Sequence, residues 1–437
     1  MLIILKHRFL VKLLRLFLSK YIVLKTNMCY YLIGGFMSDR IVLHIDVNNA
    51  FLSWTAVDML KKGSKVDIRN RYAVIGGDES KRRGIVLAKS NLCKSRGVYT
   101  SQTLYSARKL CPYLDIYAPD YKLYKRYSNY LYNYLLKYTD VIERYSIDEC
   151  FLEYSSIRRL YGDPIKFAYK IKNDIYSLYG FTVNVGIGNN KLCAKMASDF
   201  TKPNKVHTLF MHEISSKMWP LDVSELFMIG KKSSEKLKKL NINTIYDLAH
   251  TDKDFLIKNF KKMGIMMWEY ANGIDESMVE YIRDNPKSIS SSTVLPYDYK
   301  NLDQIYAVFK SLVDDVVRRL KNSHMFANTV GVGIKYKDLS KISKQKKLDN
   351  STDDIDYIYK MVVSLFNELY DKETGVRALS VSLNDLDLVK KRQLSIFDKD
   401  FDIKTSNNDN KINEIIDSLE KKYGKNLLDF GTNKFSK

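Results

Sequence analysis

Unbroken apolar runs alternate with amphipathic ones along this chain. "RIVLHIDV" (40–47) is continuous and β-branched, the pattern of a strand covered on both faces. "NNAFLSWTAVDMLKKG" (48–63) then predicts a helix that stops at Gly63. "YAVIGG" and "GIVLAKS" read as short strands around the polar loop "DESKRR". Residues 121–139, "YKLYKRYSNYLYNYLLKYT", form a helix whose Tyr and Leu stripe reads as core. Two strands follow, "VIERYS" and "CFLEY", then a helix with Pro164 in its first turn, the strand "FTVNVGIG" and the helix "NKLCAKMASDF". With the insertion after residue 63 set aside, the order is β-α-β-β-α-β. This is the split ferredoxin-like pattern, an antiparallel sheet whose first strand lies beside the central hairpin.

The remainder reads as two further bodies. Residues 221–250 predict a helix, a tight turn at Ile229, Gly230 and Lys231, and a second helix. Such a unit is either an ordinary αα-hairpin or a helix-hairpin-helix whose turn amides hold a phosphate; the lysines after the turn favour the second. Residues 278–287 read as a linker, and in 288–389 the strands "KSISSSTVLP", "NTVGVGIKY" and "RALSVSLNDLDL", with a helix after each of the first two, read as a second β-α-β-β-α-β-like domain. From Lys390 the chain becomes polar, with "QLSIF" at 393–397 and one isolated amphipathic helix pattern beyond it. The expected class is α+β.

One stretch carries chemistry. "ERYSIDECFLEY" (143–154) sets Asp148 and Glu149 side by side between apolar residues. Adjacent carboxylates repel and resist desolvation, and a cation between them offsets both costs. A solvated hairpin tip is the plainer account of such a pair. The topology changes that balance: it carries the end of the first strand, where Asp46 stands, to the turn holding Asp148 and Glu149. Three acids converging at one sheet edge point to divalent metal.

Charge and cysteines refine the picture. Lys and Arg number 71 against 50 Asp and Glu, a net charge of +21, which points to a polyanionic partner. Residues 1–36 hold six of those basic residues and no acidic one, so the rest of the chain keeps +15. Their apolar runs are broken by Lys12, Arg15, Lys20 and Lys25, and no membrane span is expected. They read as a basic amphipathic or targeting segment, or as sequence upstream of a true start at Met37; the second account is preferred. The five cysteines form no Cys-x-x-Cys pair, which excludes a disulfide framework and a cysteine zinc site and fits a reducing cytoplasm.

Four motifs in this order resemble the Y-family DNA polymerases, the DinB/UmuC type: "HIDVNNAF", "YSIDECFLEY", "VGIGNNKLCAKMASDFTKPN" and "MIGKKSSEKL". The resemblance spans roughly Met37 to Phe397. It implies a palm (37–63 and 111–209), a small fingers insertion (64–110), a helical thumb with the helix-hairpin-helix (210–277), the linker (278–287), a little finger (288–389) and a polar tail. It implies low-fidelity, template-directed addition of dNTPs to a primer 3′ end, in translesion repair and the SOS response to DNA damage.

The resemblance also implies site roles. Asp46, Asp148 and Glu149, with the main-chain carbonyl of Val47, hold two Mg²⁺ ions. Phe51 is the steric gate against ribonucleotides, and Lys94 and Lys202 meet the incoming triphosphate. Ile229, Gly230 and Lys231 hold DNA. Gln393, Leu394, Ile396 and Phe397 dock on a sliding clamp. Departures are Asn91 where the family often has Tyr, Asn48 where a second acid is common, and Met228 where the hairpin usually begins with Gly. Two other readings stay open: a palm enzyme acting on free nucleotides, and a non-catalytic DNA-binding scaffold.

Overall fold

The structure is a computed structural model that describes residues 40–282 and 284–390. The N-terminal extension and the clamp-like peptide lie outside the described residues. The chain divides into two compact units, with the boundary between Asn285 and Pro286.

The first unit is built on a five-stranded sheet. Its strands are β1 (Val42–Val47), β5 (Ile142–Arg144), β6 (Glu149–Glu153), β7 (Val183–Gly188) and β8 (Val206–Leu209), in the order β5-β6-β1-β7-β8. β1 is antiparallel to both neighbours, and β7 and β8 are parallel. The first four strands have the expected ferredoxin-like order, with β8 added at one edge.

Every residue of β1 is buried because helices cover both faces. Leu43, Ile45 and Val47 pack against α1 (Ala50–Lys61), α4 (Tyr121–Leu135) and α5 (Pro164–Tyr179), around Trp54, Tyr124, Tyr127 and Ile171. The tyrosine stripe of α4 is core, as the sequence suggested. Val42, His44 and Asp46 point to the opposite face, where α6 (Lys191–Asp199) lies.

Glycine lets α6 settle there. A Cβ at Gly186 would stand 2.0 Å from the Ala194 carbonyl oxygen, and one at Gly188 2.5 Å from Cys193 Cβ. Only a residue without a side chain permits this approach.

The insertion forms its own three-stranded sheet, from β2 (Ala73–Gly76), β3 (Val86–Lys89) and β4 (Asp115–Tyr117), in the order β3-β2-β4. Two helices, α2 (Asn91–Ser95) and α3 (Leu104–Leu110), close a small core of Val74, Val86, Cys93, Leu104 and Cys111. After β8 comes a helical body: α7 (Lys231–Lys239), α8 (Ile245–His250), α9 (Lys253–Phe260) and α10 (Lys262–Ala271). The expected helix before the Gly230 turn is corrected here, because Val223–Glu225 forms only a single 3₁₀ turn. Asp222 caps that turn through its side chain, and the chain then leaves helical geometry at Leu226.

The second unit contains β9 (Ser288–Tyr299), α11 (Leu302–Asn322), β10 (Phe326–Tyr336), β11 (Lys341–Thr352), α12 (Ile355–Leu369) and β12 (Val376–Asp387). Its order is β11-β10-β12-β9, all antiparallel. The element order repeats that of the first sheet, but here the first strand lies at an edge. Both helices cover one sheet face around Phe309, Val316, Phe366 and Val381.

Candidate active site

β1 and β6 bring the acids together. Asp46 and Glu149 are directly paired across the two strands, and the Val47 amide donates to the Asp148 carbonyl oxygen at 3.1 Å. Glu149 opens β6 rather than sitting in the connection, while Asp148 stays in the turn, where Ser146 Oγ donates to its carboxylate at 2.7 Å.

Lysines face these acids from α6 and the segment after it. Lys202 Nζ lies 2.6 Å from Asp46 and 2.8 Å from Asp199. Lys195 is ion-paired with Glu149 and lies 4.0 Å from Asp46 and 3.6 Å from Asp199.

Burial raises Asp46 to about 6; Lys202 opposes the rise and the neighbouring Glu149 charge adds to it. Asp148 is raised chiefly by burial, against the Ser146 hydrogen bond and with help from Glu149. Burial works against the charge on Lys195 and Lys202, but the surrounding carboxylates more than offset it, and both ammonium groups are raised.

Asp46, Asp148, Glu149 and Lys202 open onto a cleft of about 340 Å³. Asp46, Val47, Asp148, Glu149 and Lys202 form one wall, and Leu87, Ala88, Lys89, Asn91, Lys94 and Thr100 from the insertion form the other. Phe51 stands between them. The turn from β1 into α1 is tight, with Asn49 in the left-handed region at φ 47°, and it projects Phe51 into the cleft. The Phe51 ring stacks on Tyr124 at 4.3 Å and 7°. Asn48 ties the same turn to its neighbours by accepting from the Asn204 amide at 2.8 Å and donating to Asn184 Oδ1 at 3.2 Å.

Among the described residues, no group of three His, Cys, Asp or Glu side chains is arranged to hold a metal ion. The ammonium groups of Lys195 and Lys202 stand against Asp46 and Glu149. The donor set nevertheless suits a hard cation: carboxylate oxygens, half or fully buried, whose charge is already balanced by cations.

The sequence therefore located Asp46, Val47, Phe51, Lys94, Asp148, Glu149 and Lys202 in one cleft. Ile229, Gly230 and Lys231 lie elsewhere, at the start of α7, where the Gly230 carbonyl accepts from the Ser233 and Ser234 amides. Sequence reasoning missed Lys195, Lys89 and Thr100. The signal for Lys195 was its place among the small residues of a buried helix, where a lysine must find carboxylates.

A ferredoxin-like sheet with an acidic rim, facing a small lid and accompanied by a helical body and a separate β domain, defines a polymerase of the palm type. Residues 45–199 match the impB/mucB/samB family, and residues 286–396 match the C-terminal domain of that family. The chain is 42% identical over 389 residues to DNA polymerase IV of Clostridium acetobutylicum, covering 89% of this chain and 97% of the relative. It is 33% identical to DNA polymerase IV 2 of Bacillus subtilis, covering 79% and 84%. A solved Y-family chimera of Dbh and Dpo4 shares the fold with a TM-score of 0.69 at 24% identity, covering 79% of this chain and 98% of that one. A Dbh ternary complex gives 0.56 at 25% identity, with the same coverage. The chain belongs to the Y family of DNA polymerases, in its DinB-like branch, and is a DNA-directed DNA polymerase.

Proposed function

We propose that this chain performs translesion synthesis, extending primer 3′ ends with dNTPs at the cleft between β1 and the insertion. The observation that carries this reading is the pairing of Asp46 with Glu149, beside Asp148, opposite a lysine-bearing wall. Asp46, Asp148, Glu149 and the Val47 carbonyl would hold two Mg²⁺ ions, which would supply Lewis-acid activation of the primer hydroxyl and charge stabilisation for the leaving pyrophosphate. Lys202 and Lys94 take triphosphate oxygens. When Lys202 does so it releases Asp46, and Asp46 becomes available as a ligand. Phe51, braced by Tyr124, excludes a ribose 2′-hydroxyl.

In this reading, residues 37–63 and 118–209 are palm, 64–117 fingers, 210–277 thumb and 288–389 little finger; the expected fingers boundary at 110 is corrected, because Cys111 joins the insertion's core and Asp115–Tyr117 its sheet. The fingers core is small, so the lid encloses the nascent pair loosely; that supports tolerance of damaged templates at low fidelity. The relatives described as ternary complexes support DNA and nucleotide as partners. Among the described residues no helix is long and apolar enough to cross a membrane; work on DNA would place the protein in the cytoplasm. A sliding clamp bound through Gln393–Phe397 completes the proposal.

The test is primer extension with Mg²⁺ on intact and abasic templates, comparing wild type with Asp148→Ala. Extension on both templates, abolished by the substitution while DNA binding persists, is expected. An unchanged rate in the variant would remove the site, and wild-type arrest at the abasic position would remove the translesion role.

A further inference from the structure

Three lysines line the cleft, and their surroundings differ. Lys202 already has two carboxylate partners. Lys89, at the end of β3, has none among the described residues. Its Nζ donates to the neutral hydroxyl of Thr100 at 3.2 Å, and both residues line the cleft. The side chain is half-buried. Burial and the neighbouring Lys94 charge both push its ammonium towards the neutral form. A desolvated cation beside a like charge is costly, and such costs concentrate where a ligand reverses them.

The ligand that reverses this one is an anion. It must also approach the acidic wall of the same cleft, which a polyphosphate does with bound cations and a lone carboxylate does not. We infer that Lys89 is a third cation of the nucleotide subsite, its ammonium meeting a non-bridging phosphate oxygen of the incoming dNTP while Thr100 aims it into the cleft. This rests on the polymerase reading above. Template-strand phosphate offers the same chemistry, and the experiment separates the two sources.

The experiment uses the full chain with Lys89→Met, which keeps the apolar stem, Lys89→Arg, which keeps the charge, and Thr100→Val, which frees the ammonium. Three quantities are measured: affinity of the enzyme–primer-template complex for a non-hydrolysable α,β-imido dNTP, steady-state extension, and primer-template affinity across salt. Lys89→Met is expected to weaken analogue binding and raise KM for dNTP about tenfold with kcat little changed. Lys89→Arg recovers most of the loss, Thr100→Val shows a smaller loss in the same direction, and the salt slope for DNA is unaltered.

Unchanged analogue affinity in Lys89→Met overturns the inference. So does a shallower DNA salt slope with KM retained, which assigns Lys89 to strand phosphate. Equal impairment of the Met and Arg variants overturns it too, by assigning the effect to packing. If wild type extends no primer, the polymerase reading fails, yet weaker analogue binding in Lys89→Met would still support a triphosphate cation.

Discussion

Asp46 and Glu149 face each other across β1 and β6, and one ammonium group, that of Lys195, reaches both carboxylates. The sheet register forces the two acids together whatever the charge cost, because a slip of one residue would turn Leu43 and Ile45 out of the core. The cost is met by Lys195 on α6 and Lys202 just after it. Packing therefore holds the acids together, and the ammonium groups of Lys195 and Lys202 balance them.

That cost has a measurable pH signature in metal-free protein. Asp46 is raised to about 6 in the fold from 3.8. Between these values the folded chain holds a proton at Asp46 that the unfolded chain has lost, so stability falls as pH rises through this window. Asp46→Asn removes the contribution. The stability difference, wild type minus variant, should drop by roughly 3 kcal/mol at most between pH 4 and pH 6, read by urea denaturation with chelator present. A difference independent of pH would show that Asp46 is not desolvated as described.

Phe51 offers a test of sugar choice. Its ring is fixed by stacking on Tyr124 and by an edge contact with Tyr121, so its position in the cleft is rigid. Phe51→Ala should raise ribonucleotide incorporation relative to deoxyribonucleotide by roughly 10–100-fold, the scale on which one steric contact discriminates. Competitive incorporation assays give the ratio, and an unchanged ratio would move the gate elsewhere.

Much of this was readable from the chain. The buried runs of β1 and β7 and the striped α4 declared themselves, and the β-α-β-β-α-β order brought Asp46 close to the turn carrying Asp148 and Glu149; that Glu149 opens β6 and pairs with Asp46 was not readable. Two elements were not readable. β11, "KISKQKKLDNST", is almost wholly exposed, so neither apolar alternation nor β-branched runs announce it; its pairing with β10 makes it a strand. The segment before Gly230 has apolar residues at helical spacing, yet Asp222 caps it into one 3₁₀ turn. Lys89 and Lys195 were hidden for a different reason. Their role comes from which groups surround them: the small neighbours of Lys195 hint only at burial, and nothing in a lysine-rich chain marks Lys89.

The hairpin turn begins with Met228, where the family usually has Gly. Met228 stands at φ 71°, a left-handed conformation that costs a side-chain-bearing residue about 1–2 kcal/mol. Half of its side chain is exposed, so little packing is lost on truncation. Met228→Gly should therefore stabilise the protein by roughly 0.5–1 kcal/mol once the greater freedom of unfolded glycine is subtracted. Thermal or urea unfolding checks this; a destabilised variant would mean that Met228 makes contacts which outweigh its backbone.

Gly186 is the position where fold and site are most tightly linked. It pairs with His44 on β1, and His44 Nδ1 lies 2.8 Å from Ser198 Oγ on α6. A methyl group at Gly186 would press on the Ala194 carbonyl oxygen at 2.0 Å and the Ser198 amide at 2.4 Å, both backbone atoms that no rotamer can move. Gly186→Ala must therefore lift α6 from the sheet, and with it Lys195 from Glu149. The expected cost is about 1–3 kcal/mol in urea, the usual penalty for overpacking a core. Primer extension should fall further than the folded fraction does, because the surviving fold holds Glu149 less firmly. Activity that tracks the folded fraction alone would show that Lys195 balances charge without positioning the carboxylate.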